Sequence, residues 1–130
     1  MVNVSDLENI CKKIMNLDSK MRSARIINSR GHLVAGGMKE GLVALEESKQ
    51  DEMMFMELAL RVRMRHDFDK ELGKVHFSMS YRDKVIIISF PLDNDDVLLA
   101  SGELDIDFKE IPFKILEIIK DLRSNKTTTF

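Results

Sequence analysis

The segment DEMMFMELALRVRM, residues 51–64, carries apolar residues on two sides of a predicted helix. At about 100° per residue, they fall into two stripes rather than one. One stripe consists of Met53, Met56, Leu60 and Met64, and the other of Met54, Phe55, Leu58 and Val62. A surface helix ordinarily needs a single stripe to cover its own domain. The extra stripe predicts that another chain covers it. We predict that the stripe that contains Val62 is the one that faces this partner.

Two further segments each carry one apolar stripe and predict the terminal helices. The first begins at Ser5, where Glu8 would complete a capping box. Its apolar residues recur at three- and four-residue steps through Leu7, Ile10, Cys11, Ile14, Leu17 and Met21. Because proline is tolerated only near a helix start, the last helix is predicted from about Pro112 to Arg123. In the middle helix, Ser48 is the predicted cap and Gly73 the end.

Segments typical of β-strands fill the spaces between these helices. Residues 24–28 and 32–35 flank SRG, in which Gly31 can adopt a positive φ, and they predict a hairpin. KVHFSMSYR, residues 74–82, alternates apolar and polar residues, which predicts a strand with one polar face. VIIISF, residues 85–90, predicts a strand that is covered on both faces. VLLAS, residues 97–101, completes a meander.

The predicted order of elements is therefore α-β-β-α-β-β-β-α, an α+β fold. We expect a three-layer sandwich around a five-stranded antiparallel sheet, with the middle helix on one face and the terminal helices on the other. At 130 residues the chain is long enough for one core. We place a single domain at residues 1–125 and a frayed tail at residues 126–130.

Composition indicates the class and the location of the protein, but it does not indicate an activity. Hydrophobic residues make up 44% and charged residues 32% of the chain, which is typical of a folded globular protein. The net charge of -2 gives no reason to expect nucleic acid or an anionic membrane as partner. A single cysteine cannot form an internal disulfide, and neither a membrane span nor a signal-peptide core is visible. We therefore expect a cytoplasmic protein.

No set of residues in the sequence identifies a catalytic, cofactor or metal site. Cys11 lies within an apolar stripe, so we expect a buried side chain rather than a nucleophile. His32, His66 and His76 lack the spacing of metal ligands. The acidic run DNDD, residues 93–96, lacks the glycine and glutamate of a calcium loop and predicts a solvated turn. We predict neither enzymatic activity nor a cofactor.

The hairpin RIINSRGHLVAGG and the meander KVHFSMSYRDKVIIISFPLDNDDVLLASGE, in this order of elements, resemble the roadblock/dynein light chain family. This family belongs with the longin and profilin-like folds. The resemblance covers nearly the whole chain, residues 5–123, and suggests a divergent prokaryotic or archaeal member. The chain departs from common members in its longer connector, MKEGLVALEES, and in its Met-rich middle helix with several arginines.

Members of that family are non-enzymatic scaffolds or regulators, and they often bind or regulate Ras-like GTPases. They typically dimerise by packing their middle helices together and aligning their third strands. The resemblance thus implies a homodimer, and we predict an interface that contains Met54, Phe55, Leu58, Val62, His76, Ser78 and Ser80. Arginines beside an interface can bind a carboxylate through two hydrogen bonds. The predicted contacts to a further protein, such as a small GTPase, are Arg61, Arg63 and Arg65.

Two alternatives remain open at this point. The connector and the tail could cover both stripes within one chain, which would remove the reason for a dimer. A small-molecule sensor related to PAS or GAF modules would have a similar sheet, but it needs a cavity between sheet and helices. A scaffold predicts no deep pocket at that place.

Overall fold

The computed structural model describes residues 3–123 of the chain. The order of elements is the predicted one, with an additional short helix after the middle helix. The elements are α1 (Val4–Met15), β1 (Met21–Ile27), β2 (Leu33–Met38), α2 (Ser48–Arg65), α3 (Asp69–Leu72), β3 (Ser78–Tyr81), β4 (Ile86–Pro91), β5 (Val97–Gly102) and α4 (Ile111–Ile118). The predicted tail at residues 126–130 lies outside the described residues.

The five strands form one antiparallel sheet in the order β2-β1-β5-β4-β3. The first hairpin therefore occupies one end of the sheet, and the meander occupies the other. β5 lies in the centre, between β1 and β4. β3, the strand predicted to pair with a second chain, lies at an edge of the sheet.

One face of the sheet is covered by α1 and α4 together. β4 and β5 point alternate apolar side chains toward these helices, among them Ile88, Phe90 and Leu98. Ile14 of α1 and Ile115 of α4 lie fully buried in the same cluster. Because side chains alternate along a strand, the next residues point to the opposite face.

The opposite face is covered by α2 alone, and its apolar cluster is smaller. Phe55 and Val62 of the helix pack against Ile27, Val97 and Leu99 of the sheet. The predicted three-layer sandwich is confirmed by this arrangement, with one helix on one face and the terminal helices on the other.

Several predicted element ends are wrong by a few residues. α1 is capped by Asn3, whose side chain accepts the N–H of Asp6 at 2.9 Å, while the Asp6 carboxylate accepts the N–H of Asn3 at 3.2 Å. This pair closes the same reciprocal box that was predicted two residues later, since asparagine and aspartate cap as well as serine does. Similarly, Ser48 is the first helical residue of α2 rather than its cap. Met21 belongs to β1 rather than to the first helix.

Candidate functional site

The two apolar stripes of α2 lie on opposite sides of the helix, and the stripe predicted to face a partner is the one on the sheet. Phe55 is 6% exposed and Val62 is 1% exposed, and Met54 and Leu58 are partly buried against the same cluster. The interface assignment is therefore wrong for Phe55 and Val62. The physical reason lies in Ala59, which is buried between them and lets the helix approach the sheet closely. The outward side has no comparably small residue in its stripe.

The other stripe points into solvent. Met53 is 70% exposed, Met56 62%, Leu60 50% and Met64 58%. We call these four residues the exposed stripe. Single exposed apolar residues are ordinary on protein surfaces, but a contiguous row of large ones indicates an interaction site. Neither the connector nor any other part of residues 3–123 covers this row.

The apolar and polar residues of β3 point to opposite faces of the sheet, as their alternation along the sequence predicted. Phe77 and Met79 pack against the core beneath α1 and α4, whereas Ser78 and Ser80 lie on the side of α2. His76 precedes the strand, is exposed, and contacts the guanidinium of Arg123 through Nδ1. Of the predicted interface residues on this segment, the two serines line a cleft rather than an open surface.

The three arginines predicted to contact a partner do not form one patch. Arg61 is exposed and pairs with Glu57 at 3.1 Å, four residues earlier on the helix. Arg63 points toward the first hairpin, where its Nη1 donates to the carbonyl oxygen of Ser29 at 2.5 Å. Arg65 is partly buried and lines the cleft. Only Arg61 and Arg65 lie on the same side of α2.

The cleft lies between α2, the connector before it, and strands β3, β4 and β5. We call it the sheet cleft, and its volume is about 480 Å³. Its floor is the sheet face, with the hydroxyl groups of Ser78, Ser80, Ser89 and Ser101. Apolar side chains, chiefly Met54, Leu58 and Ile87, form part of the wall. A pocket of this size falls in the range of small-molecule sites, so the cavity that the sensor alternative requires is present.

A buried ion cluster closes one end of the sheet cleft. The side chain of Arg25 is only 7% exposed, lies over the ring of Phe55 at 5.0 Å from its centroid, and reaches Asp51 at 3.4 Å and Glu46 at 3.8 Å. Burial raises the pKa of Asp51 to about 6, and its hydrogen bond to Glu46 adds to the increase. Burial opposes ionisation of Glu46 as well, but the hydrogen bond from Asp51 and the charge of Arg25 leave its pKa below the ordinary value. The two carboxyl groups thus share a proton below about pH 6, and both lie beside Arg25.

Other candidate chemistry has no support among the residues that the structure describes. Burial, with a contribution from the charge of Glu8, raises the pKa of the Cys11 thiol to about 12, so this thiol is not a ready nucleophile. Between residues 3 and 123, no three His, Cys, Asp or Glu side chains are grouped to hold a metal ion. No helix within the same range has the length and apolarity to cross a membrane. The acidic run ends in a turn, with Asn94 and Asp95 at positive φ.

Little in the sequence indicates the sheet cleft in advance. Serines interrupt the apolar strands β4 and β5 at Ser89 and Ser101, and these interruptions were the available signal. Arg25 and Ser23 lie on β1, in a segment where every residue is buried. A buried arginine in a strand is unusual because charged groups are rarely buried without partners.

The order of strands and the placement of the helices define a roadblock-like, profilin-like fold. MglB from Myxococcus xanthus has this fold, with a TM-score of 0.70 at 10% identity over 93% of this chain and 94% of that one. The roadblock/LC7 domain from Streptomyces avermitilis gives 0.66 at 10% identity over 88% and 92%. A profilin from Schizosaccharomyces pombe gives 0.59 at 14% identity over 88% and 93%. The resemblance predicted from the sequence is confirmed at the level of the fold.

A family model also matches nearly the whole chain. The chain belongs to DUF6659, a family of unknown function, whose model matches residues 1–125. No curated protein sequence matches the chain.

Proposed function

We propose that this protein is a non-enzymatic homodimeric scaffold or regulatory module, in which the α2 helices of two copies pack through the exposed stripe. The observation that carries the proposal is the row of Met53, Met56, Leu60 and Met64, each at least half exposed on one side of an 18-residue helix. The stripe differs from the one that we predicted, but the reason for a second copy is the same. One side of α2 covers its own sheet, and the other side has no cover within residues 3–123.

The geometry of the exposed stripe suits a two-fold interface. Its residues follow one another at steps of three, four and four, so they lie along one line of the helix. In a two-fold dimer the same line of each copy meets its twin, and a self-complementary apolar row satisfies this requirement. Three of the four residues are methionine, whose flexible side chain fills irregular gaps at such contacts.

The magnitude of the burial supports a stable dimer. Removing one large apolar side chain from water contributes about 1.5–3 kcal/mol as an upper scale. Each copy would bury four of them, and the lost translational and rotational freedom offsets part of the gain. We expect dissociation constants in the micromolar range or below. The edge strand β3 could extend the interface if the two sheets align.

A Ras-like GTPase is the proposed class of further partner. The roadblock-like fold supports this suggestion, because the family that the sequence resembles often binds such proteins. Arg61 is exposed on α2 beside the exposed stripe and remains a proposed contact. Arg63 is the weaker candidate, since Ser29 already holds its guanidinium.

The dimer is tested by replacing one apolar residue of the exposed stripe with a charged residue. Leu60→Glu should give a folded monomer, because Leu60 lies at the centre of the row and does not contact the core. Leu72→Glu is the matched control, since Leu72 is an exposed leucine of α3 outside the stripe. Sedimentation equilibrium should report a dimer for the wild type and for Leu72→Glu. A wild-type monomer at millimolar concentration, or an unchanged dimer of Leu60→Glu, contradicts the proposal.

A second candidate function, a small-molecule sensor, is favoured by the sheet cleft. The cavity lies between the sheet and a helix, which is the place that this alternative requires. The two functions are compatible, because the exposed stripe and the sheet cleft run along adjacent sides of α2 and share only Met53.

A further inference from the structure

The sheet cleft has a local charge that the rest of the chain lacks. Five arginines line it, against the two carboxylates Glu46 and Glu57, whereas the whole chain has a net charge of -2. The arginines are Arg22, Arg25, Arg61, Arg65 and Arg82. They come from three different regions of the sequence, and only the fold brings them to one cavity. A concave site with an excess of one sign of charge concentrates ions of the opposite sign.

Internal ion pairs neutralise this charge only in part. Arg22 pairs with Glu103 at 2.7 Å, and Arg61 pairs with Glu57 at 3.1 Å. Arg25 pairs with Asp51 at 3.4 Å and with Glu46 at 3.8 Å, so three of the five arginines have a carboxylate partner. Two donors in the lining are shielded from solvent and have no acceptor among residues 3–123. They are Nε of Arg25 and Nη1 of Arg65. Buried donors are nearly always hydrogen-bonded in folded proteins, so each of these two donors indicates a missing acceptor beside it.

The orphaned donor of Arg65 lies where a second positive charge is close. Burial lowers the pKa of Arg65 below its ordinary value, and the charge of Arg61 adds to the decrease. An anion in the sheet cleft would accept the free N–H and offset the repulsion. Guanidinium groups suit this task, because their parallel donors match the geometry of carboxylate and phosphate.

The remaining lining shows what else the occupant carries. Four serine hydroxyls lie on the floor, and they can donate or accept hydrogen bonds. Met54, Leu58 and Ile87 form an apolar wall next to them. A small site that combines an apolar wall with a few converging polar groups is typical of an amphipathic ligand.

The extent of the sheet cleft is that of a small-molecule site. Its lining reaches Leu99 and Ser101 on the central strand β5, two strands inward from the edge strand β3. At a strand spacing of about 4.8 Å, these two strand steps span about 10 Å. The cavity volume of about 480 Å³ is in the range of pockets that bind small molecules.

We propose that the sheet cleft binds a small organic anion, in which a carboxylate or phosphate group is joined to an apolar body. Arg65 contacts the anionic group, the serine hydroxyls hold its remaining oxygens, and Met54 and Leu58 cover the apolar body. The site would give the scaffold a means of responding to a metabolite. It does not depend on dimerisation, since of the exposed stripe only Met53 lines the cleft.

The test uses three probes that share one ring. Phenyl phosphate, benzoate and benzyl alcohol are titrated separately into the full-length protein at low ionic strength, and the backbone amides are followed by NMR. We expect one or both anions to shift the amides of Ser78, Ser80 and Ser89 to saturation, with benzyl alcohol at least about tenfold weaker. A preference for phenyl phosphate assigns the ligand to phosphate esters, and a preference for benzoate assigns it to carboxylates.

Matched variants separate a built site from general attraction to positive charge. Arg65→Met should weaken the anion by at least about tenfold. Arg30→Met should leave its affinity unchanged, since Arg30 is exposed in the turn of the first hairpin and does not line the cleft. Amide spectra away from the cleft confirm that each variant is folded. Equal weakening by both variants, or no saturable shift with either anion, overturns the proposal.

The dimer variant provides a final control. Leu60→Glu should bind the same anion with the same affinity as the wild type. Binding that appears only in Leu60→Glu would mean that a second copy fills the cleft, and this outcome also overturns the proposal.

Discussion

The two faces of the sheet differ in how many helices cover them. On one face, α1 and α4 together bury Ile86, Ile88 and Phe90 of β4 in an apolar cluster. On the other face, α2 alone covers the apolar end, and the rest carries serines and arginines. A helix with its side chains is about 10–12 Å wide, whereas five strands span about 20 Å. One helix cannot close such a face, so the uncovered part must be polar.

This comparison explains why the sheet cleft lies where it does. α2 is held near the first hairpin, because Arg63 donates to Ser29 and the backbone at Gly31 lies against Met56. The opposite side of the helix therefore leaves β3 and β4 uncovered. The cleft is a consequence of one helix placed off centre over a wide sheet.

The largest expected effect comes from a charge on the buried side of α2. Val62→Asp should abolish folding, because it places a carboxylate without a partner among Phe55, Val97 and Leu99. The loss should exceed about 4 kcal/mol, which is a large part of the stability of a small domain. Circular dichroism in a urea titration measures it.

The control for this variant lies half a turn away on the same helix. Leu60→Asp introduces the same charge on the exposed stripe and should keep a cooperative unfolding transition. If Val62→Asp and Leu60→Asp unfold at the same urea concentration, the prediction that Val62 faces the core and Leu60 faces solvent is contradicted.

Two neighbouring isoleucines of β4 compare the faces within one strand. Ile88→Ala removes a fully buried side chain from the closed face and should cost about 4 kcal/mol. Ile87→Ala removes a partly buried side chain that lines the sheet cleft and should cost about 2 kcal/mol or less. Urea denaturation of the two variants gives the difference directly. Equal losses would show that the cleft is packed as tightly as the closed face.

The fold was predictable from the sequence because its signals are local. Periodicity in α2, alternation in β3 and the continuous apolar run of β4 each depend on a few adjacent residues. The exact caps were less predictable, since Asn3 and Ser5 are both good N-cap residues. The order of the strands within the sheet was not predicted, because no one segment carries a signal for it.

The site was less predictable, because it depends on which of two similar apolar stripes faces the sheet and on how distant segments pack together. Both stripes of α2 are apolar, and no local pattern decides which of them is buried against the sheet. The sheet cleft depends on arginines from β1, α2 and the segment after β3. No spacing in the sequence shows that Arg25, Arg65 and Arg82 share one cavity. Such convergence is determined by tertiary packing.

Gly31 tests what holds α2 off centre. It has a φ of +82°, and a Cβ at this position would lie 2.9 Å from the Cα and the backbone N of Met56. Gly31→Ala should therefore cost about 1–3 kcal/mol through backbone strain and a contact that no side chain can relieve. Gly37→Ala is the control, because nothing lies within 4 Å of the added carbon there. Thermal unfolding measures the stability of both variants. Equal stability would contradict the close packing of α2 against the first hairpin.

The smallest expected effect concerns the ion cluster at the end of the sheet cleft, and it appears as a dependence on pH. The pKa of Asp51 is raised from 3.8 to about 6, mainly by burial and by its hydrogen bond to Glu46. The folded state therefore binds this proton more tightly than the unfolded state does. The stability that this proton contributes is fully present below about pH 4 and is lost as the pH rises through 6.

Asp51→Asn removes this dependence, because asparagine stays neutral and can still hydrogen-bond to Glu46. As the pH rises from 4 to 7, the melting temperature of the variant should rise relative to that of the wild type, because only the wild type loses the stabilising proton. Glu52→Gln is the matched control, since Glu52 is the next residue of α2 but is exposed and outside the cluster. Melting temperatures of the three proteins across this range decide the point. A constant difference between Asp51→Asn and the wild type at every pH would mean that Asp51 is ionised throughout, and the cluster would then hold Arg25 by two full charges rather than by a shared proton.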